Sequence, residues 1–310
     1  MAITASMVKE LRELSGAGMM DCKKALTNTD GDIDKAVEFL RENGLAKAEK
    51  KAGRIAAEGI VAVDVSTDGK VASIVEVNSE TDFVAKNEVF QNFVASVAKQ
   101  IAQTDVADME AFMSAPWNED SSVTVEVNLK NMIAKIGENM NIRRFEKVSA
   151  ENGFISSYIH AGGKIGVLVK AEVSNVNDEV KTCLKDVAMQ VAALSPKYTS
   201  REEVDQNYIE SEKEILLAQA KIEKPDANDK ILNGIVMGRI NKELKEICLL
   251  DQIFVKAEDG KQSVGQYVQA VAKAVGTDIK VVSFVRFETG EGLEKKSEDF
   301  AAEVSAQMGN

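Results

Sequence analysis

The stretch Gly59-Ile60-Val61-Ala62-Val63-Asp64-Val65-Ser66-Thr67-Asp68-Gly69-Lys70-Val71-Ala72-Ser73-Ile74-Val75-Glu76-Val77 decides the fold. Residues 59–65 and 70–77 are rich in β-branched side chains. The Asp68-Gly69 pair between them supplies the positive φ of a tight hairpin turn. Asn78-Ser79-Glu80-Thr81-Asp82 follows, and then a long helical pattern carrying Val84, Phe90, Phe93, Val94, Val97 and Ile101 at 3.6-residue spacing.

The same unit recurs. A gapless shift of 94 positions sets Gly59 on Gly153, Gly69-Lys70 on Gly163-Lys164, Val75 on Val169 and Ala98 on Ala192. Ile155–Ala161 and Ile165–Ala171 again predict a hairpin, and Glu179–Leu194 again predicts a helix with Val180, Leu184, Val187 and Val191 inside. A hairpin-plus-helix unit used twice predicts an α+β protein whose core has two halves. Between the copies, residues 126–138 read as helix and Ile142–Val148 as a further strand.

Upstream, residues 1–44 predict three short helices. Thr4 caps the first, Ser15-Gly16-Ala17-Gly18 breaks it, and Asp32 caps the third, which Asn43-Gly44 closes. Residues 45–58 read as a linker whose basic, Ala-rich part, residues 45–54, is helical with a solvated face. The core halves then take 59–150, and 151–199 with 248–288. Residues 200–247 predict an antiparallel coiled-coil hairpin broken at Lys224-Pro225. Its 4–3 stripes are Val204, Tyr208, Ile215, Ala218, Ile222 and Leu232, Val236, Ile240, Leu244. That surface could close within the hairpin or pair with a second copy as a homodimer, and the hairpin is expected to be peripheral to function. Ser263 caps a helix that Gly276 ends, and Ile279–Phe287 alternates as a strand. Residues 289–310 form a C-terminal module in which Ser297-Glu298-Asp299 starts a last helix.

The chain has 310 residues, a formal charge of −12, 45% hydrophobic and 28% charged residues. That composition is globular, and the acidic balance argues against direct nucleic-acid binding. The charge-free runs are too short to span a membrane, and the N-terminus lacks the basic and apolar regions of a signal peptide. Cys22, Cys183 and Cys248 are too few and too far apart for a disulfide framework, which fits a reducing, cytoplasmic setting.

Catalytic constellations are sparse. One histidine, His160, leaves no histidine-based metal site. Gly16-Ala17-Gly18 before Lys23-Lys24 fails as a phosphate loop, because Asp21 and Cys22 stand where that motif needs Gly and Lys. Glu76, Glu80 and Asp82 could be an acid/base pair or a hard-cation site, or an acidic turn. Cys22 has no base near it in sequence and reads as a small buried hydrophobe. His160, beside Ala161-Gly162-Gly163, reads as a structural or interface hydrogen bonder. The gapless shift places Asn177 on Phe83, so shared packing does not demand an aromatic there. Phe83 is either local core or an exposed anchor for a partner pocket. Asp82 is the expected N-cap of the helix that follows.

Several segments carry a more specific signal. They are Met7-Val8-Lys9-Glu10-Leu11-Arg12 with Gly16-Ala17-Gly18-Met19-Met20-Asp21-Cys22-Lys23-Lys24-Ala25-Leu26, Asp30-Gly31-Asp32-Ile33-Asp34-Lys35-Ala36, and Glu80-Thr81-Asp82-Phe83-Val84-Ala85-Lys86. Further on come Lys135-Ile136-Gly137-Glu138-Asn139-Met140-Asn141-Ile142-Arg143-Arg144, Lys164-Ile165-Gly166-Val167-Leu168-Val169 and Phe284-Val285-Arg286-Phe287-Glu288-Thr289-Gly290-Glu291-Gly292. In this order, from residue 2 to about 305, the chain resembles the bacterial translation elongation factor Ts family. The resemblance implies a ubiquitin-associated-like three-helix domain, a two-part α+β core, a coiled-coil hairpin and a C-terminal helix.

It also implies a guanine-nucleotide exchange factor for elongation factor Tu, not an enzyme, with no cofactor or metal of its own; the magnesium ion belongs to the partner. The alternative is a chaperone-like binder of elongation factor Tu without exchange activity. Carried over by motif, Met19, Met20 and Lys23 make one contact with the partner's GTPase domain, and Thr81, Asp82, Phe83 and Val84 make another. His160 and Gly162 touch its C-terminal β domain. Ile136 is carried over as contact or as core. The family mechanism wedges Phe83 into the GTPase domain, which shifts the elements holding magnesium and phosphates.

Overall fold

Residues 2–294 are described by the computed structural model. Three helices begin it: α1 (Ala5–Ser15), α2 (Met19–Asn28) and α3 (Ile33–Lys51). The Thr4 hydroxyl accepts the Met7 N–H, Asp32 caps α3 by accepting from Lys35, and Gly16 ends α1 at φ 66°. Val8, Leu11, Cys22, Ala25, Leu26 and Ala36 are buried between the helices.

The expected stop of the third helix at Asn43-Gly44 is not found, and α3 runs on to Lys51. Gly44 is a helix-contact residue, not a terminator. A Cβ there would lie 3.2 Å from the Ala134 Cβ of α7 (Val125–Ile136), so glycine lets the two helices meet. Beyond it, Ala48 is buried in the first core cluster, and Lys47 pairs with Asp21 at 2.7 Å. The basic stretch thus wraps an apolar edge onto the core while its cations stay at the surface.

β1 (Glu58–Val65), β2 (Val71–Ser79) and β5 (Met140–Ser149) form one antiparallel sheet in the order β1-β2-β5. β6 (Gly153–His160), β7 (Ile165–Val173) and β8 (Ile279–Glu288) form a second in the order β6-β7-β8. Each central strand carries an irregularity against its third strand, at Glu76/Val77 and at Lys170/Ala171, and the shift of 94 relates the two. One long helix packs on each sheet, α5 (Glu88–Gln103) on the first and α8 (Asp178–Leu194) on the second.

The helices obey a different shift. Phe90, Phe93, Val94, Val97, Ala98, Gln100 and Ile101 of α5 match Val180, Cys183, Leu184, Val187, Ala188, Gln190 and Val191 of α8, position by position at a shift of 90, and all are buried. Asn87 caps α5 and Asn177 caps α8. This corrects the gapless pairing of Phe83 with Asn177 and of Ala98 with Ala192. The first copy holds four more residues between strand and helix, the length of the short helix α4 (Asp82–Ala85). The single helix expected from Val84 to Ile101 is accordingly two, parted at Lys86-Asn87.

The matched glutamines do matched work. Gln100 donates to the Pro116 carbonyl and accepts the Asn118 N–H, both at 2.9 Å. Gln190 donates to the Ile253 carbonyl and accepts the Val255 N–H. Each buried amide satisfies an extended segment outside its three-stranded sheet; the first follows α6 (Met109–Ser114) and belongs to a small antiparallel pair, β3 (Pro116–Trp117) and β4 (Asp120–Thr124).

One cluster lies between the first sheet and α5 with α7, and another between the second sheet and α8 with α11 (Val264–Val275). The sheets meet through a third layer that includes Val61, Ala72, Ile74, Ile155, Leu168 and Phe287. The two expected halves are two helix-covered cores joined by this layer, which explains why β2 is buried almost throughout.

α9 (Gln206–Glu223) and α10 (Asp229–Ile247) form the helical hairpin, broken around Pro225. Leu232, Val236, Ile240 and Leu244 face inward as expected. The expected stripe holds at Val204 and Tyr208 and fails along the rest of α9. Ile215 and Ala218 are exposed and Ile222 is 82% exposed, whereas Leu216, Leu217 and Ala220 join Tyr208 in the hairpin cluster. The true face passes through half-buried Glu212 and Lys213, whose aliphatic stems count as apolar surface although their letters do not.

The Ser263/Gln266 capping box starts α11 and Gly276 ends it, as expected. The last helix expected from Ser297 lies outside the described residues. Among the described residues no helix is long and apolar enough to cross a membrane, and no group of three metal-ligating side chains occurs.

Candidate functional site: the Phe83 corner

The β2–β5 ladder ends at the pair Ser79 and Met140. Past it the two segments continue to lace together through carboxylates. Glu80 accepts the Asn139 N–H at 2.6 Å, and Glu138 accepts the Thr81 N–H at 3.0 Å and the Thr81 hydroxyl at 2.7 Å. Asn139 in turn donates its side-chain amide to the Arg54 carbonyl at 2.8 Å. Thr81, not Asp82, is the N-cap of α4, and its hydroxyl oxygen accepts from Val84. Asp82 is the first helical residue and takes a 2.6 Å bond from Lys86 one turn on. The hydroxyl of Thr81 lies where it can both cap and bond Glu138, so the cap moves one residue upstream of the expected position.

Val84 and Ala85 are buried and hold α4 to the core. Phe83 points the other way and is 80% exposed, which removes the local-core reading. A phenyl ring in water costs hydrophobic free energy, and here it is carried on a connection longer than the fold unit needs.

The three carboxylates near this strand end do not converge. Glu76 is fully buried and is bonded by Arg143 at 3.0 Å, Arg144 at 2.6 Å, Asn78 at 3.0 Å and the Gly290 N–H at 2.8 Å. Burial raises its pKa, but the bonds from Gly290, Asn78 and the two arginines outweigh it and leave the carboxyl below its usual range. Glu80 serves Asn139, and Asp82 is held below the usual carboxylate range by Lys86 first and by the field of Lys164 as well. With separate partners they form neither an acid/base pair nor a cation cage.

Lys164 joins this corner to the second copy's hairpin turn. It bonds Glu58 at 2.6 Å, and Gly163 donates no space: a Cβ there would meet Ile60 at 2.8 Å. The turn bends through Ala161 at φ 48° and Gly162 at φ 65°, with open space around Gly162. His160 is exposed, its Nδ1 3.1 Å from the Tyr158 hydroxyl. The structure therefore brings the Thr81–Val84 corner and the His160–Lys164 turn to one end of the joined sheets.

Met19 and Met20 are 59% and 74% exposed, and Lys23 is exposed too, while Cys22 faces inward. They sit on the outer side of α2, which packs on α1 and α3. Cys22 is fully buried and its sulfur neighbours the Ser15 hydroxyl and the Ala17 carbonyl, so it has no base. Ile136 is half-buried and packs on the first core cluster. Glu138 and Asn139 were not singled out from the sequence. The acid-then-amide pair just before a strand, facing Glu80-Thr81 across the ladder end, was the available signal.

The model of the family described as Elongation factor TS matches residues 80–291, from the carboxylate that starts this corner to the turn that reaches Glu76. Curated proteins called Elongation factor Ts match over nearly the full chain. That of Clostridium novyi (strain NT) is 53% identical over 307 residues, 99% of each chain. That of Clostridioides difficile (strain 630) is 55% identical over 306 residues, again 99% of each. The chain belongs to the elongation factor Ts family. As an elongation factor Ts family member it is a translation elongation factor of mixed α and β structure. The resemblance first noted in its motifs is thereby established over the whole length.

Proposed function

We propose that this chain binds elongation factor Tu and speeds release of its GDP, so that GTP can rebind. The observation that carries the reading is Phe83, an aromatic anchor held 80% in solvent on a braced corner that the second copy lacks. The chain has no constellation for covalent chemistry among its described residues, and exchange requires none: it is not an enzyme in this reading. Exchange rests on differential affinity. The chain must bind the nucleotide-free partner more tightly than the GDP complex, and by linkage GDP then weakens the chain's binding by the same factor.

In this reading Phe83 enters the GTPase domain and displaces the elements that hold magnesium and phosphate, with Thr81, Asp82 and Val84 as its mount. Met19, Met20 and Lys23 dock a second patch of that domain. His160 and Gly162 meet the partner's C-terminal β domain, and Ile136 packs on the first core. The setting is the cytoplasm, where translation takes place. The exposed Ile215 and Ile222 of α9 are where a second copy would pair.

Stopped-flow release of a fluorescent GDP from elongation factor Tu tests the reading. The release rate should climb with the concentration of this chain to a plateau well above the spontaneous rate. Binding to elongation factor Tu with unchanged GDP release would replace exchange by the chaperone-like role.

A further inference from the structure

The braced end of the β2–β5 ladder carries a consequence for Phe83. Past the last strand pair, Ser79 with Met140, residues 80–81 and 138–139 exchange side-chain-to-backbone bonds in both directions. We infer that Glu138 is a positioning residue for exchange: its carboxylate, bonded to both the N–H and the hydroxyl of Thr81, sets the direction in which Phe83 is presented. The inference rests on the exchange reading of the same corner.

Three observations support it. α4 has only four residues, too few to hold its own orientation by internal hydrogen bonds. Its cap, Thr81, has one hydroxyl, and donation to Glu138 fixes the rotamer from which the oxygen accepts the Val84 N–H. Glu138 itself follows the left-handed Gly137 at φ 91°, whose carbonyl accepts from Lys51 of α3. The carboxylate is therefore carried on a loop tied down from the opposite side. No equivalent brace is needed at the second copy, where three residues connect β7 to the cap Asn177. Glu138 touches neither the partner nor its nucleotide in this reading; it acts through Phe83.

The test is a double-variant cycle on GDP release at saturating chain, joined to amide hydrogen exchange of the free protein. Glu138→Gln keeps the shape but removes the charge and one of the two acceptors. It should slow saturated GDP release about tenfold, the scale of one charge-assisted hydrogen bond, and speed exchange of the Thr81–Ala85 amides while those of α5 stay protected. Phe83→Ala with Glu138→Gln should be no slower than Phe83→Ala alone, because the glutamate acts only through the ring. Thr81→Val, which removes both the hydroxyl bond to Glu138 and the cap on Val84, should slow release and loosen the Thr81–Ala85 amides at least as much as the glutamine variant. Multiplying effects in the double variant, or unchanged Thr81–Ala85 protection in Glu138→Gln, would overturn the inference. Failure of the wild-type chain to accelerate GDP release would instead overturn the exchange reading, and the hydrogen-exchange arm would still decide whether Glu138 holds the corner.

Discussion

Phe83→Ala separates a wedge from a core residue by two numbers. The ring is 80% exposed, so about one fifth of a side chain that can bury ~200 Å² is covered. At ~25 cal/mol per Å² the truncation removes about 1 kcal/mol of burial. Alanine's better helix propensity in α4 returns a few tenths of that. The Thr81 cap and the Glu138 brace are backbone and Thr81 features, and the substitution leaves them intact. Net destabilisation should stay at or below about 1 kcal/mol, against roughly 3–5 kcal/mol for a buried phenylalanine. An aromatic anchor at the centre of an interface is worth about 2 kcal/mol or more, which is roughly a 30-fold change. Saturated release of fluorescent GDP from elongation factor Tu should slow by at least that factor, while the urea midpoint of the free chain moves little. A stability loss near 3 kcal/mol with normal release per folded molecule would refute the reasoning.

Glu76→Gln probes the buried knot. The folded carboxyl ionises more readily than its unfolded counterpart near 4.5, so its stabilisation is complete above that value and is lost as pH falls through the lower folded one. The variant should lose about 3 kcal/mol or more near pH 7, because two arginines lose their counter-charge, and its urea midpoint should fall less steeply than wild type on acidification. Glu146, whose pKa burial raises, works with the opposite sign and is common to both proteins. Gly44→Val should wedge α3 from α7 at a cost of about 1–3 kcal/mol, read as faster hydrogen exchange in both helices. On the hairpin, Ile222→Ser should change stability by less than about 0.5 kcal/mol, whereas Ile240→Ala should cost roughly 2–5 kcal/mol in thermal unfolding.

Strand pairs and caps were legible because their signals are local. Asp68-Gly69, the β-branched runs and the cap residues Thr4, Asp32 and Ser263 each act within a few positions, and the hairpin and the starts of these three helices stand where their letters put them. What was not legible depended on the partner surface. Gly44 looks like a helix stop until Ala134 stands opposite it, and Glu212 and Lys213 look solvated but are half-buried in the fold. The repeat was visible in its strands but misaligned in its helices, because a gapless shift cannot detect an insertion at the junction. That insertion is the candidate site, so its most informative property was hidden by the comparison that first drew attention to Phe83. Motif resemblance pointed to the corner, while its brace, Glu138 on Thr81, required the fold.

The bond from the Gly290 N–H to Glu76 spans 214 positions of chain. A ribosome adding about 5–20 residues per second presents the donor roughly 10–40 s after the acceptor. During synthesis the first sheet must therefore hold an ionised carboxylate with only Arg143, Arg144 and Asn78 around it. The two arginines arrive within the same half of the chain and keep that charge compensated while the hairpin and second sheet are still being made. Closure by Gly290 is the last of these bonds that can form, so the knot around Glu76 is completed only after β8 has been made, although Ile155 and Gly163 can already bond the first sheet.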